Sequence, residues 1–282
     1  MECGIGYTLP VRYAEYPSSP ALARVVDCYW ILEGQGTGVP EPVIPDGRIE
    51  IILHYGVRFE RYHVDGTIER QPASLIVGQI LAPMSLGYRG TAGVAAIRLR
   101  PAAARAIVRD SASAITNRAI DLEDLFGSTA TLRERLALAS SDAVRVALLD
   151  AWLARIVHSD PAPEIDAAVT AIVSSGGTIG LSAVADATDL SMRQLERRFL
   201  SDVGVAPKSF ARLIRLQAAL RRISHGDSLA DVAHACGYYD QPHMTRDFSR
   251  LAETSPAAWQ QYAGDLTQLF VVGAAGSDSR GR

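Results

Sequence analysis

Through the first hundred residues, apolar positions come in short runs of four to ten with a period close to two. "RVVDCYWILE" (24–33), "RIEIILHY" (48–55), "VRFERYHV" (57–64), "SLIVGQI" (74–80) and "GVAAIRLR" (93–100) are rich in β-branched and aromatic residues. Gly, Pro and Asp-Gly pairs punctuate them, as expected of strands joined by turns. In "RIEIILHY", Ile49, Ile51 and Leu53 share one face while Glu50 and His54 share the other. That pattern fits a half-buried strand leaving a turn at Pro45-Asp46-Gly47. Many short strands with closely spaced turns predict a sandwich or a small barrel.

At Pro101 the period changes. Proline is tolerated at the first helical position, and helical segments are expected near 101–109, 121–126, 129–139 and 142–157. In the last of these, Val144, Leu148, Trp152 and Ile156 offer more apolar surface than a linker requires. They are expected to form part of a homodimer surface, or else to pack on the protein's own strands. "HSDPAP" (158–163) holds two prolines and a Ser-Asp pair and is read as a linker. From 164 to 263 the chain reads as helices joined by tight turns, and 264–282 as a disordered tail with nothing to bury. The fold class expected is α+β. A β-rich barrel or sandwich-like domain (1–157, its helical part 101–157) precedes an all-α domain.

The helical part repeats itself. Leu181, Val184, Ala185, Ala187 and Leu190 meet Leu229, Val232, Ala233, Ala235 and Tyr238 at an offset of 48. Arg197, Phe199, Pro207 and Phe210 meet Arg246, Phe248, Pro256 and Trp259 at an offset of 49. One inserted residue near the central turn reconciles the two registers. Each copy has the pattern of a helix-turn-helix: a small residue at the crossing, a turn, then a second helix with a polar cap at Ser191 or Asp240. Met192, Leu195 and Phe199 fall on one face of the second helix, and Arg193, Gln194 and Arg197 on the other. In copy two Met244, Phe248 and Leu251 point inward, while Gln241, His243 and Arg246 are free to point out. Arginine and glutamine match the guanine and adenine edges of the DNA major groove. Between the copies, Phe210, Leu213, Ile214, Gln217, Leu220 and Ile223 trace a long connecting helix.

Charge then sharpens the picture. The whole chain carries a net charge of −3, which by itself does not suggest nucleic acid. Residues 191–250, however, hold ten positive and six negative side chains, so the repeated unit is locally basic. The three cysteines, Cys3, Cys28 and Cys236, form no close-spaced pair and suit a reducing compartment. No signal peptide is read at the start. The least polar stretch, 75–88, is interrupted by Gly78, Gln79 and Pro83, so no membrane partner is expected and the protein is placed in the cytoplasm.

With "RLIRLQAALRRI", "SLADVAHACGYYDQPHMTRDF" and the closing "TSPAAW", residues 164–262 resemble the C-terminal DNA-binding domain of the AraC/XylS family of bacterial transcription regulators. The resemblance implies two helix-turn-helix units on a connecting helix, entering successive major-groove segments on one DNA face. Carried over by position, it implies base reading by Arg193, Gln194, Glu196 and Arg197, then by Gln241, Pro242, His243 and Arg246. Two positions depart from the family pattern. Glu253 stands where a glycine is usual, and Pro242 where a polar residue is usual. "VIPDGRIEII" (43–52) and "GVAAIRLRPAAARAI" (93–107) resemble the sensor-type domain of a subset of AraC-like proteins, whose ligand the resemblance does not supply.

The function expected is therefore sequence-specific, effector-controlled transcriptional regulation, with double-stranded operator DNA as partner. A small-molecule effector, a second copy of the chain and RNA polymerase are the further partners considered. Trp30, Glu50, His54 and Tyr88 are the candidate effector-lining residues, since they bring aromatic and ionisable groups to a barrel mouth. In an alternative reading, the N-terminal domain only dimerises. A DNA-repair alkyl-transfer enzyme fused to such a domain is the third reading. It is set aside because Cys3 and Cys28 lack close-spaced partners and no nucleophile elbow or phosphate loop is present. His54 and His63 lack a third ligand at metal-site spacing, so neither metal nor cofactor is expected.

Overall fold

The structure, a computed structural model, describes residues 11–261. The expected disordered tail (264–282) and Cys3 lie outside the described residues. Among the described residues, ten strands form two antiparallel sheets. The first has the order β1 (Arg12–Tyr16), β2 (Val26–Thr37), β9 (Arg89–Leu99), β4 (Ile49–His54), β7 (Ser74–Val77) and β10 (Ala119–Asp121). The second has β3 (Glu41–Val43), β8 (Met84–Gly87), β5 (Glu60–Tyr62) and β6 (Ile68–Arg70). The long β2–β9 ladder, with an irregularity between Val26 and Cys28, is the spine of the strand domain.

Alternation along the strands builds two cores. Tyr29, Ile31, Ile49, Ile51, Leu53, Ile97 and Leu99 face the helical layer and are fully buried with Leu136, Leu149 and Leu153. The opposite face carries Trp30, Leu32, Val94 and Ala96, which pack with Phe59, Leu86 and Tyr88 between the sheets. The Ile49, Ile51 and Leu53 face read from the sequence is thus the helix-covered one, and Glu50 and His54 point between the sheets. The helical layer is α1 (Leu122–Phe126), α2 (Ala130–Leu138) and α3 (Asp142–Ile156). The helix expected at 101–109 is instead a 3-10 segment, Pro101–Ala106, whose small side chains allow four alanines to be buried within six residues. The strand expected at 57–64 pairs only over Glu60–Tyr62.

Among the described residues after 162, every regular element is a helix: α4 (Pro163–Ser174), α5 (Leu181–Ala187), α6 (Met192–Val203), α7 (Pro207–Ser224), α8 (Leu229–Ala235), α9 (Gln241–Ala252) and α10 (Pro256–Trp259). Each helix-turn-helix has its own core. Leu195, Phe199, Val203 and Phe210 are buried with Ile165 and Ile172 in the first. Met244, Phe248, Leu251 and Trp259 are buried with Leu216, Leu220 and Val232 in the second. The two cores meet on α7, which contributes Phe210 to one and Leu213 to the other. Cys236 is buried in the second core, where its thiol is raised above its ordinary range by burial.

Candidate nucleic-acid interface

The second helix of each unit, α6 or α9, begins with a cap. The Ser191 hydroxyl accepts from the Gln194 amide nitrogen at 3.4 Å, and the Gln194 side chain accepts from Ser191 N at 3.0 Å, a reciprocal capping box. In copy two, Asp240 Oδ1 accepts from His243 N at 2.6 Å. His243 Nδ1 accepts from Tyr239 N at 3.4 Å, and its ring lies edge-on to Tyr238 at 5.4 Å. Gln194 and His243 thus face back toward their own turns, which the sequence-derived reading role did not foresee.

Arg193, Glu196 and Arg197 are exposed on α6, as are Gln241, Pro242 and Arg246 on α9. Arg193, Arg197, Arg246 and Arg250 form no ion pair among the described residues. By contrast Arg198 is held by Glu164 at 3.1 Å, and Arg212 pairs with the buried Asp247, tying α7 to α9. These exposed guanidiniums are what a phosphate and base-edge surface requires. Pro242 removes a backbone donor from the first turn of α9 at no steric cost, because that donor has no helical partner there.

The two units are joined through α7. Arg215 donates to the Gly177 carbonyl at 2.8 Å, at the entrance to α5, and lies over the Tyr238 ring at 5.4 Å from its centroid. Gly237, with φ +69°, abuts Thr178, where a Cβ would come within 2.7 Å of a methyl carbon. The α4–α5 connection of copy one and the turn of copy two therefore meet beside one rod.

Copy one is also fastened to the strand domain. Thr116 Oγ1 donates to the Gly204 carbonyl at 2.7 Å, Arg105 pairs with Asp202 at 3.4 Å, and Ala102 joins the core of copy one. The Pro45-Asp46-Gly47 turn lies against α7. Gln217 donates through Nε2 to the Pro45 carbonyl at 2.8 Å, and Gln79 donates to the Gly47 carbonyl at 2.9 Å. Both glutamines are buried. Gly47 takes φ +77°, and a Cβ there would lie 3.1 Å from the Phe210 ring. Sequence reasoning missed this contact, although its signal was a glutamine on the apolar stripe of α7.

The four effector candidates all lie on the face between the sheets, but the packing joins them into two groups. Trp30 Nε1 donates to Glu50 Oε1 at 3.1 Å, and the same carboxylate oxygen accepts from Arg98 Nε at 2.9 Å. Arg98 is buried and also pairs with Glu15 at 2.8 Å. His54 lies 5.2 Å from Phe59, which stacks on Tyr88 at 4.6 Å. Burial lowers the His54 imidazole to about 4, so it is neutral near pH 7. Burial, with the charge of Glu50, raises the Asp46 carboxyl to about 6. Burial pushes the Cys28 thiol up to about 12. Glu50 is thus engaged by Arg98 and Trp30, and the aromatics fill space against one another.

On α3, the apolar face proposed for dimerisation is largely used within the chain. Leu149 and Leu153 are fully buried, Leu148, Trp152 and Ile156 pack on the same core, and Trp152 meets Phe126 edge-on at 6.1 Å. Val144 remains exposed. No helix among the described residues is long and apolar enough to cross a membrane.

Comparison with known proteins places relatives at both ends. Residues 184–262 match a family described as a helix-turn-helix domain, and residues 14–121 match a domain family of unknown function, DUF6597. The HTH-type transcriptional activator RhaS of Pectobacterium carotovorum is 29% identical over 86 residues, which are 30% of this chain and 31% of that protein. RhaS of Escherichia coli is 33% identical over 79 residues, 28% of either protein. The chain thus spans under a third of the length of these relatives. Among solved structures, ToxT from Vibrio cholerae matches with a TM-score of 0.46 and 11% identity, over 90% of this chain and 98% of ToxT. The C-terminal domain of AraT, a response regulator from Geobacillus stearothermophilus, matches with a TM-score of 0.34 and 21% identity, over 36% and 85% of the two chains.

Proposed function

We propose that this chain is a transcription regulator of the AraC/XylS type, which binds double-stranded operator DNA through α6 and α9 and sets transcription under control of its strand domain. The observation that carries the reading is the pair of capped helices on one rod, with Arg193, Arg197 and Arg246 exposed and without ion-pair partners among the described residues. Arg193 and Arg197, with Gln241 and Arg246, are the side chains assigned to base edges and phosphates. Glu196 and Pro242 line the same surface, and Gln194 and His243 shape its helix starts.

The test is selection of bound fragments from a genomic library by the full-length protein, followed by anisotropy titration of the recovered site. Affinity should fall steeply with salt as counterions are released. Selection of no common sequence, together with salt-insensitive binding, would overturn the reading.

The engagement of Glu50 by Arg98 and Trp30 favours a second reading for the N-terminal half, in which it pairs two copies of the chain. Its support is the apolar surface that remains exposed beside α3, at Leu125, Leu138 and Val144. Sedimentation of the full chain at micromolar concentration, beside Leu138→Asp, tests it. A dimer dissociated by the added charge supports pairing, and a monomer at every concentration removes it.

A further inference from the structure

Copy two meets the strand domain through Ile44, which is buried in its core, and leaves a gap beside that contact. Between them opens a cleft of about 520 Å³, within the usual size range of small-molecule sites. Ile44, Met84 and Arg61 line it from the strand domain, and Glu253, Ala258 and Trp259 from the end of α9 and from α10. Ile44 and Trp259 belong to the same buried cluster, so the apolar floor is continuous across the two domains.

The walls carry opposite charge. Arg61 stands on one and Glu253 on the other, and neither forms an ion pair among the described residues. His63, also at the rim, is already engaged by Glu69 at 3.1 Å. Glu253 is unusual in its backbone as well. It ends α9 with φ 50° and ψ 22°, the left-handed conformation that favours glycine, at the position where the family pattern has one. A side chain held in that strained conformation, exposed at a cleft, is a candidate for function rather than for stability.

We propose that the cleft binds a small zwitterion with an apolar body, of the class of an apolar α-amino acid or short apolar peptide. Its carboxylate lies on Arg61, its ammonium group on Glu253, and its side chain on the floor of Ile44, Met84 and Trp259. The proposal deepens the reading of small-molecule control and rests on it. Such a ligand adds a charged link to the apolar contact that copy two makes at Ile44, whereas copy one already has polar links through Asp202 and Gly204. It therefore acts on one of the two DNA-reading units.

Calorimetric titration of the full-length protein with the apolar L-amino acids and leucyl-phenylalanine tests this, beside two single-charge probes, indole-3-propionate and tryptamine. At least one zwitterion should bind saturably, and its single-charge analogues at least about 10-fold more weakly, given the strength of hydrogen bonds to charged groups. Arg61→Gln and Glu253→Gln should each weaken the zwitterion by about 10-fold or more. Glu253→Gly separates ligation from structure: it should raise the melting temperature of the unliganded protein while weakening the ligand as Glu253→Gln does. No saturable binding, or binding that both glutamine variants leave unchanged, overturns the proposal. DNA titrations of the same samples keep the readings apart, since loss of the cleft proposal leaves operator binding intact.

Discussion

Gln194 and His243 stand at the same place in the two recognition helices, third from the start, and both turn back to their own helix entrances. Gln194 accepts from Ser191 N at 3.0 Å and His243 from Tyr239 N at 3.4 Å. What remains exposed differs between the copies. Copy one offers Arg193 and Arg197, while copy two offers Pro242 and Arg246 at the matching positions, with Gln241 ahead of them. At these two positions the first unit presents two guanidiniums and the second presents one, Arg250 standing exposed further along α9.

This inequality is measurable. Arg197→Ala should weaken a selected site by roughly 1–3 kcal/mol and relax preference at one base pair. Arg246→Ala should do the same at a second position about one helical turn of DNA away. Anisotropy titrations against single-base-pair variants check both. Equal losses on selected and random DNA would reassign the side chain to phosphate.

Gln194 is predicted to stabilise its helix more than it reads DNA. Gln194→Ala should cost roughly 0.5–1 kcal/mol of unfolding stability, whereas Gln194→Glu, which preserves the reciprocal cap, should cost little. Urea melts compare them. An alanine variant of unchanged stability and altered base preference would restore the reading role.

Asp46 and His54 should oppose one another in the pH dependence of stability. The Asp46 carboxyl is raised to about 6 by burial, so its contribution is complete below the ordinary carboxylate range and is lost as pH rises through about 6. His54 is lowered to about 4, so its contribution is complete above the ordinary histidine range and is lost as pH falls through about 4. Relative to the native chain, Asp46→Asn should gain stability from pH 4 to pH 6.5, and His54→Gln should lose its advantage over the same span. Thermal melts at half-unit intervals give the slopes, and parallel curves for all three proteins would refute the assignment.

Docking of the two halves should depend on the Pro45-Asp46-Gly47 turn. Gln217→Leu leaves the buried Pro45 carbonyl without its donor, at about 1–3 kcal/mol. Gly47→Ala forces a left-handed conformation on alanine and crowds Phe210, at roughly 1–2 kcal/mol. Either should speed proteolysis in residues 157–162, between α3 and α4, and cleavage unchanged in both would show that the halves are held elsewhere.

The double helix-turn-helix was legible because its signals are local: caps, a turn glycine and apolar spacing all lie within short windows. So was the two-faced strand at Ile49–His54. The partner of each polar group was not. Whether Glu50 faces a ligand or Arg98 depends on a register between β4 and β9, which brings together residues 48 apart in the sequence. The cleft is assembled from strand ends and a helix end more than 150 residues away, a juxtaposition no window contains. The α3 face left two covers open, because an amphipathic stripe does not say whether its cover is another molecule or the chain's own sheet, and Leu148, Trp152 and Ile156 pack on the latter.

The rod that carries both reading units is clamped over its first part, where Phe210 meets Gly47 and Gln217 meets Pro45. Copy two is pinned to that same stretch: Arg212 pairs with Asp247, Arg215 lies over Tyr238, and Ile44 of the strand domain enters its core. The rod is a keel, with the strand domain laid along one side and a helix-turn-helix unit fastened toward each end. A change at Pro45 or Gly47 is therefore expected to reach both units through one beam, and not copy one alone.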